Sequence, residues 1–342
     1  MPKETSTNRL HVWLGVAISV ACLIAIFLLI DPREILRALA NADYGYVALS
    51  AVGIVAFLAL RAIRWRFMLE NAVPYSRVFH IQNVGYLLTY ILPLRLGDVA
   101  RAVLIGNVPP VTLAQGVSTM IVERVFDLLF IVILLPFTLA NVESLAPGIR
   151  EAARISTVLA LLATIVLVLA ANYRQTALRL FGAILNHLPV LDADRWTPHF
   201  DQLLSGLNSL TRLRDGALLI LMSVLIWVPI VLAYYSCMRA VGLEPTLAMA
   251  GFVVCAAALS ITAPSSPGQV GVFHAGVTFA LVQILGQPEA TSASFAFLYH
   301  ALNFVVVIIF GLIGVYSIGA TLGNVIQASR QLLSRRQENV QA

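Results

Sequence analysis

The stretch YILPLRLGDVAR, Tyr90–Arg101, breaks an apolar run with a proline, a glycine and three charges. A second stretch, TAPSSPGQVGVF from Thr262 to Phe273, repeats its skeleton. Pro93-x-x-x-Gly97-Asp98-Val99 in the first answers to Pro264-x-x-x-Gly268-Gln269-Val270 in the second, 171 positions later. The apolar runs that precede the two breaks start at Tyr46 and Ala217, separated by the same 171 positions. Proline and glycine interrupt backbone hydrogen bonding. At membrane depth such breaks persist only where protein or a wet cavity covers the freed groups. Paired breaks in corresponding places therefore predict a repeated unit with a covered polar site between its copies.

Composition sets the solvent. Hydrophobic residues make up 59% of the chain, charged residues 11%, and mean hydropathy is +0.88, where soluble domains carry about 25% charge. The apolar run Leu10–Ile30 has a basic flank, Lys3 and Arg9, and ends at Asp31-Pro32-Arg33 without a small-residue cleavage site. It reads as a retained anchor. Further runs cover Tyr46–Leu60, Val78–Ile105, Val117–Ala140, Ile155–Ala171, Ala217–Met238, Leu247–Leu285 and Ser294–Ala320. The expected fold is all-α and polytopic. Cys22, Cys237 and Cys255 lie in apolar runs without metal-ligand spacing, so neither disulfide nor metal is expected, and no cofactor is implied. The net charge of +5 fits positive-inside orientation rather than nucleic-acid binding.

The placement of lysine and arginine orients the chain. If each broken run is a hairpin that leaves on the side it entered, fourteen Lys and Arg fall on the N-terminal side. Five (Arg33, Arg37, Arg150, Arg154, Arg239) fall opposite, and Arg95, Arg101 and Arg124 lie at membrane depth. If the broken runs crossed fully, the five arginines between Arg174 and Arg214 would face outward, against the positive-inside rule. The expectation is six full spans and two re-entrant hairpins in an inverted repeat, with both termini cytoplasmic. Residues 1–140 form the first repeat, 141–172 begin the second, 173–215 are a cytoplasmic surface segment, 216–325 complete the second repeat, and 326–342 form a cytoplasmic tail. Within the surface segment Phe200, Leu203, Leu204, Leu207 and Leu210 have helical spacing, which suits a helix lying on the membrane.

Charge inside apolar runs marks the candidate site. Asp98 is expected to cap the helix that resumes after the first break, and Ser266, followed by Pro267, to cap the helix after the second. Two helix N-termini aimed at the midplane from opposite faces attract anions. Arg95 and Arg101 flank the first break, and a guanidinium fork suits phosphate. The next run carries Glu123-Arg124-Val125-Phe126-Asp127, with Glu123 and Asp127 on one helical face. Each unpaired intramembrane charge costs about 2.5–3.5 kcal/mol, so Arg95, Arg101 and Arg124 are expected to pair with Asp98, Glu123 and Asp127. That network either fixes the hairpin or lets a lipid head group compete for the arginines; both readings stay open. His274, His300 and Asn303, one turn after His300, are either packed hydrogen-bonding residues or a proton relay. The cluster Arg61-Ala-Ile-Arg64-Trp65-Arg66 reads as an interface anchor in reach of lipid phosphate. No nucleophile elbow, Walker loop or zincin motif occurs, and the His187/Asp192 pair in a polar loop is a chance spacing.

These residues, in this order, resemble the transmembrane region of the lysylphosphatidylglycerol synthase family and its stand-alone relatives. The resemblance runs through Arg64-Trp65, Pro93-x-Arg95-x-Gly97-Asp98-x-x-Arg101, Glu123-Arg124-x-x-Asp127 and Pro264-x-x-Pro267-Gly268-x-x-Gly271. It implies a bacterial inner-membrane protein that binds or translocates a phospholipid, polyprenyl-linked or hopanoid-type lipid, with an anionic head group as partner. Three positions depart from the family's usual residues: Asp98 for Glu, Gln269 for Gly, and His274 for Glu, the last removing a carboxylate. The soluble aminoacyl-transferring domain of the full synthases is expected to be absent. Two other functions stay open: a membrane-embedded transferase acting on a lipid-linked substrate, and a non-catalytic subunit that recruits envelope or lipid biosynthesis enzymes through Tyr173–Asp215.

Overall fold

The computed structural model describes residues 17, 18, 20–26, 28, 31–92, 96–142, 145–186, 197, 213–262, 266–319 and 323, and no strand occurs among them. Pro93, Arg95 and Pro264, the Phe200–Leu210 helix, the His187/Asp192 pair, most of the first apolar run and the C-terminal tail lie outside the described residues.

Helix starts follow local chemistry. Asp31 accepts from the Arg33 amide at 2.8 Å to open α1 (Pro32–Ala40), and Asp43 accepts from Gly45 at 2.8 Å to open α2 (Tyr44–Met68). Two shorter helices follow, α3 (Tyr75–Ile91) and α4 (Leu96–Gly106). A Thr112/Gln115 capping box starts α5 (Leu113–Ala140). Proline at the first position starts α6 (Pro147–Asn172), which leads into α7 (Arg174–Asn186). The second half holds α8 (Leu213–Ala240) and α9 (Leu247–Ser260), the latter capped by Thr246. A 3-10 turn at Pro267–Gln269 precedes α10 (Val272–Phe279), which continues as a π-helical turn over Ala280–Ile284, and α11 (Glu289–Ser317) closes the described fold.

Helix length separates two classes. Tyr44–Met68, Gly216–Ala240 and Glu289–Ser317 are long and apolar enough to cross a membrane. By contrast α3 has 17 residues, α4 11, α9 14 and α10 8. At about 1.5 Å per residue none of these four spans a hydrocarbon core of about 30 Å.

The principal helix pairings come in twos. α2 packs along α8, its counterpart at the 171-residue offset. α3 packs on α11 as α9 packs on α5; α2 meets α3 as α8 meets α9. The α3–α4 and α4–α5 contacts have partners in α9–α10 and α10–α11. Exchanging the halves maps these contacts onto themselves.

The central α2–α8 crossing is close. A Cβ on Gly53 would lie 2.8 Å from the Pro229 carbonyl and 2.9 Å from Ala233 Cβ, so only glycine fits. Ser50 Oγ donates to the Ala233 carbonyl at 2.8 Å beside it. Small residues and cross-helix hydroxyls bring helices together where apolar burial gives no drive between them. The outer surface agrees with that environment: α6 exposes Leu159, Leu162, Ile165 and Val166 along its length, a continuous apolar face suited to lipid rather than water.

Two expected helix starts differ in the structure. Pro267 begins only the 3-10 turn, and Ser266 makes no capping bond there; α10 starts five residues later, at Val272. The delay arises because Gly268, Gln269 and Gly271 all take positive φ (74°, 60° and 84°), so the chain turns before it can wind. Asp98 lies within the first turn of α4 rather than at its cap. It still offers negative charge to the positive helix end. The polar segment from Tyr173 also opens with a regular helix, α7, which its composition did not signal.

Candidate functional site

The charged residues of three helices converge. From α2, Arg61 Nη2 donates to Glu123 Oε1 and, at 2.8 Å, to Asp127 Oδ2; both carboxylates are on α5. Arg64, one turn on, donates to Asp127 Oδ1 at 2.9 Å and to Ser223 Oγ of α8 at 3.1 Å. From α4, Arg101 reaches Glu123 Oε2 at 3.0 Å and Oε1 at 3.4 Å. Arg64 and Arg101 are fully buried and Glu123 nearly so. Burial on this scale is tolerated because each charge is paired and hydrogen-bonded.

Aromatic rings line the network. The Arg101 guanidinium lies 4.4 Å from the Trp65 ring centre and 5.3 Å from that of Tyr86, and Arg61 lies 5.9 Å from Tyr86 and 5.3 Å from Phe57. Ring faces supply partial negative charge in a medium without water. Trp65 Nε1 donates to Thr119 Oγ1 at 3.0 Å. Thr119 also lines a cavity of about 420 Å³ with Glu70, Gln115 and Ser118, so that cavity comes up to the network. The buried Tyr86 hydroxyl has no hydrogen-bond partner among the described residues.

The network has a covered interior and an open edge. Arg124 keeps 45% of its side chain exposed and Asp98 31%. Arg124 contacts Asp98 at 3.6 Å and Glu123 at 3.5 Å, looser than the bonds inside. Among the described residues the network holds four arginines (Arg61, Arg64, Arg101, Arg124) and three carboxylates (Asp98, Glu123, Asp127), leaving one positive charge.

Glycines set the position of Arg101. A Cβ on Gly85 of α3 would lie 2.1 Å from Arg101 Cγ, and one on Gly97 of α4 would lie 1.9 Å from the Gly85 carbonyl. The α3–α4 pair closes only because both side chains are missing. Gly97 thus serves close approach inside the helix, where the sequence suggested a break.

The second break meets the first. The Tyr90 carbonyl, near the end of α3, is the nearest atom to a Cβ placed on Gly268, at 3.6 Å. His300 of α11 bonds the Gly268 carbonyl through Nε2 at 2.7 Å, and Asn303 Nδ2 donates to the Tyr90 hydroxyl. His274 accepts the Gly271 amide on Nδ1 at 3.2 Å, closing the α10 start, and its ring centre lies 4.7 Å from that of His300. His274, His300 and Asn303 do converge, and their hydrogen bonds hold the turn and the α3 end in place.

The chain matches the family described as the lysylphosphatidylglycerol synthase transmembrane region over residues 12–311. The chain belongs to that family. It is similar to Glycosyltransferase AglD of Haloferax volcanii, 26% identical over 97% of this chain and 58% of that protein. The chain therefore spans under two thirds of the length of that relative. Two UPF0104 membrane proteins of Methanothermobacter thermautotrophicus are 24% and 23% identical, over 87% and 90% of this chain and 90% and 95% of theirs. No solved structure matches. Family membership and the apolar helices together make this a membrane protein.

Several sequence expectations change in the light of the geometry. Arg61 and Arg64, read as an interface anchor, lie inside the network: Arg64 is wholly buried and Arg61 9% exposed. With Arg101 they hold Glu123 and Asp127. The signal was present, since Ser50, Ile54, Leu58, Arg61 and Trp65 form one buried stripe of α2 that continues past Leu60. Tyr86 was missed. It stands midway between Gln82 and Tyr90, four residues from each, on the face of α3 that meets the arginines.

Proposed function

We propose that this membrane protein holds an anionic lipid head group at the open edge of the arginine network and moves the lipid between leaflets. The observation that carries the reading is the surplus positive charge of the described network, with Arg124 half exposed and loosely held while the other three arginines are buried and paired. A phosphate at Arg124 would neutralise that surplus and compete with Asp98. Arg64 and Arg101, paired with Asp127 and Glu123, then act behind it as the reserve of positive charge.

The topology that suits this function is six spans and two re-entrant hairpins, α3–α4 and α9–α10, in an inverted repeat within a bacterial inner membrane, both termini cytoplasmic. Support comes from the four short helices, from the paired contacts, and from arginine placement. Moving Arg61 and Arg64 into the network leaves twelve Lys and Arg on the cytoplasmic side against five outside, still in the sense of the positive-inside rule.

Native mass spectrometry of the purified protein tests the head-group site. The wild type should retain a specific anionic lipid, and Arg124→Ala should lose it while melting at the wild-type temperature. The same bulk-lipid profile in both proteins refutes the reading. A fluorescent-phospholipid quenching assay in liposomes then tests movement. A second reading, a membrane-embedded part of a transferase acting on a lipid-linked substrate, draws on the similarity to the protein named Glycosyltransferase AglD. Turnover of a labelled donor by the purified chain would decide for it.

A further inference from the structure

The cavity of about 420 Å³ between the end of α2 and the start of α5 has a size typical of small-molecule sites, roughly 300–1,000 Å³. Of the residues that line it, Val111, Thr119 and Val122 are buried, whereas Glu70, Gln115 and Ser118 are exposed. It lies just past Met68, the last residue of an apolar helix long enough to cross a membrane. The end of such a helix reaches the layer where lipid head groups meet water.

Most of the polar groups on this wall are unspent. The Glu70 carboxylate makes no ion pair and no hydrogen bond among the described residues. Arg66, one turn before it, donates instead to the Val73 carbonyl at 3.0 Å. The Ser118 hydroxyl is likewise without a partner among the described residues. Gln115 commits Oε1 to the Thr112 amide at 2.9 Å and hydroxyl at 3.4 Å, which leaves its Nε2 donors unused. Only Thr119 is closed, donating to the Gly116 carbonyl at 2.9 Å and accepting from Trp65 at 3.0 Å.

This donor and acceptor set selects a ligand chemistry. An anion would meet Glu70, the one charged side chain among the described residues of the wall. An ammonium group would satisfy Glu70 but face the Gln115 N–H donors. Neighbouring hydroxyls match all three groups: they donate to the carboxylate, accept from the amide, and do either with Ser118. The C–H face of a sugar ring then packs on Val111 and Val122. We infer that this cavity binds a neutral polyhydroxylated group, a sugar or sugar-like polyol, free or as the head group of a lipid. The inference is separate from the head-group reading. Arg124 lies six residues beyond Ser118, about 240° around α5.

The full chain is purified in a polyoxyethylene detergent, which carries no sugar, and offered equal amounts of monoglucosyl diacylglycerol and plain diacylglycerol. Native mass spectrometry reads which lipid is retained. Methyl glucoside, followed by saturation-transfer NMR, tests the free sugar. The wild type is expected to retain the glucosyl lipid preferentially; a methyl glucoside signal as well assigns the site to the sugar alone, and its absence assigns it to the lipid head group. Glu70→Gln keeps the shape but loses a charge-assisted bond, and should weaken binding roughly tenfold. Ala72→Phe, at an exposed position of the same wall, should fill the cavity and abolish binding with every polar group intact. Equal retention of the two lipids with no methyl glucoside signal overturns the assignment. So does a preference that both variants leave unmoved, or stronger retention of phosphatidylethanolamine than of the glucosyl lipid. Arg124→Ala should leave sugar binding intact, so failure of the head-group reading is seen separately.

Discussion

Replacing Glu123 tests whether the network is held as described. Glu123 is 1% exposed, and its oxygens face Arg61, Arg101 at 3.0 and 3.4 Å, and Arg124 at 3.5 Å. In Glu123→Leu, Arg61 keeps Asp127 at 2.8 Å. Arg101, fully buried, keeps only Asp98, at 4.0 Å. Removing one partner of a buried pair and stranding the other costs about 3–5 kcal/mol, whereas exchanging both for apolar residues is often close to neutral. Arg101→Met strands Glu123 less, because Arg61 and Arg124 remain beside it. The double variant Glu123→Leu/Arg101→Met should therefore be more stable than Glu123→Leu alone, with a coupling of roughly 2 kcal/mol. The assay is detergent-denaturant unfolding in mixed micelles, followed by the fluorescence of the four tryptophans. A loss below about 1 kcal/mol for Glu123→Leu, or strict additivity in the double variant, would refute the pairing.

Other consequences follow from close contacts. Gly97→Ala puts a methyl 1.9 Å from the Gly85 carbonyl and 2.2 Å from Thr89 Oγ1. The α3–α4 pair must part, at a cost of about 1–3 kcal/mol or more, and lipid transport should fall although no charge is touched. Gly148→Ala, with nothing within 4 Å, should leave the unfolding midpoint in the same denaturant assay unchanged or slightly raised. Tyr90→Phe removes the acceptor of Asn303 at a cost of about 1 kcal/mol. Hydrogen exchange at residues 266–271 should then speed up relative to the wild type.

What could be read in the sequence was what depends on periodicity and spacing. Long apolar runs gave the helices, and the matched Pro/Gly breaks at a fixed offset gave halves whose contacts do pair. Glu123 and Asp127 four apart gave the acidic face of α5. Readings failed where a residue's role depends on a neighbour distant in sequence. Arg61 and Arg64 near the end of a span resemble any interface anchor until α5 brings carboxylates against them. Gly97 resembles a helix breaker, yet its use is fixed by Gly85, twelve residues earlier on another helix. The π turn after Phe279 has no local signature.

Gln269 is a further case, because the structure gives a non-glycine residue here a cost. Its φ is 60°, between Gly268 at 74° and a Gly271 at 84°, so an L side chain here sits in the left-handed region. That placement costs roughly 1–2 kcal/mol, while glycine returns part of the gain through the freedom of the unfolded chain, about 0.5–1 kcal/mol. Gln269→Gly should therefore leave stability within about 1 kcal/mol of the wild type, on the favourable side. Gln269→Ile should destabilise, because a β-branched residue at positive φ is a genuine outlier. The turn carries the His300 bond to the Gly268 carbonyl, so distortion in Gln269→Ile reaches α11 and the end of α3 together. If Gln269→Ile melts like the wild type, the turn does not have this conformation, and the meeting of the two breaks falls with it. If Gln269→Gly keeps full stability yet loses the lipid movement proposed above, the glutamine side chain itself serves that function.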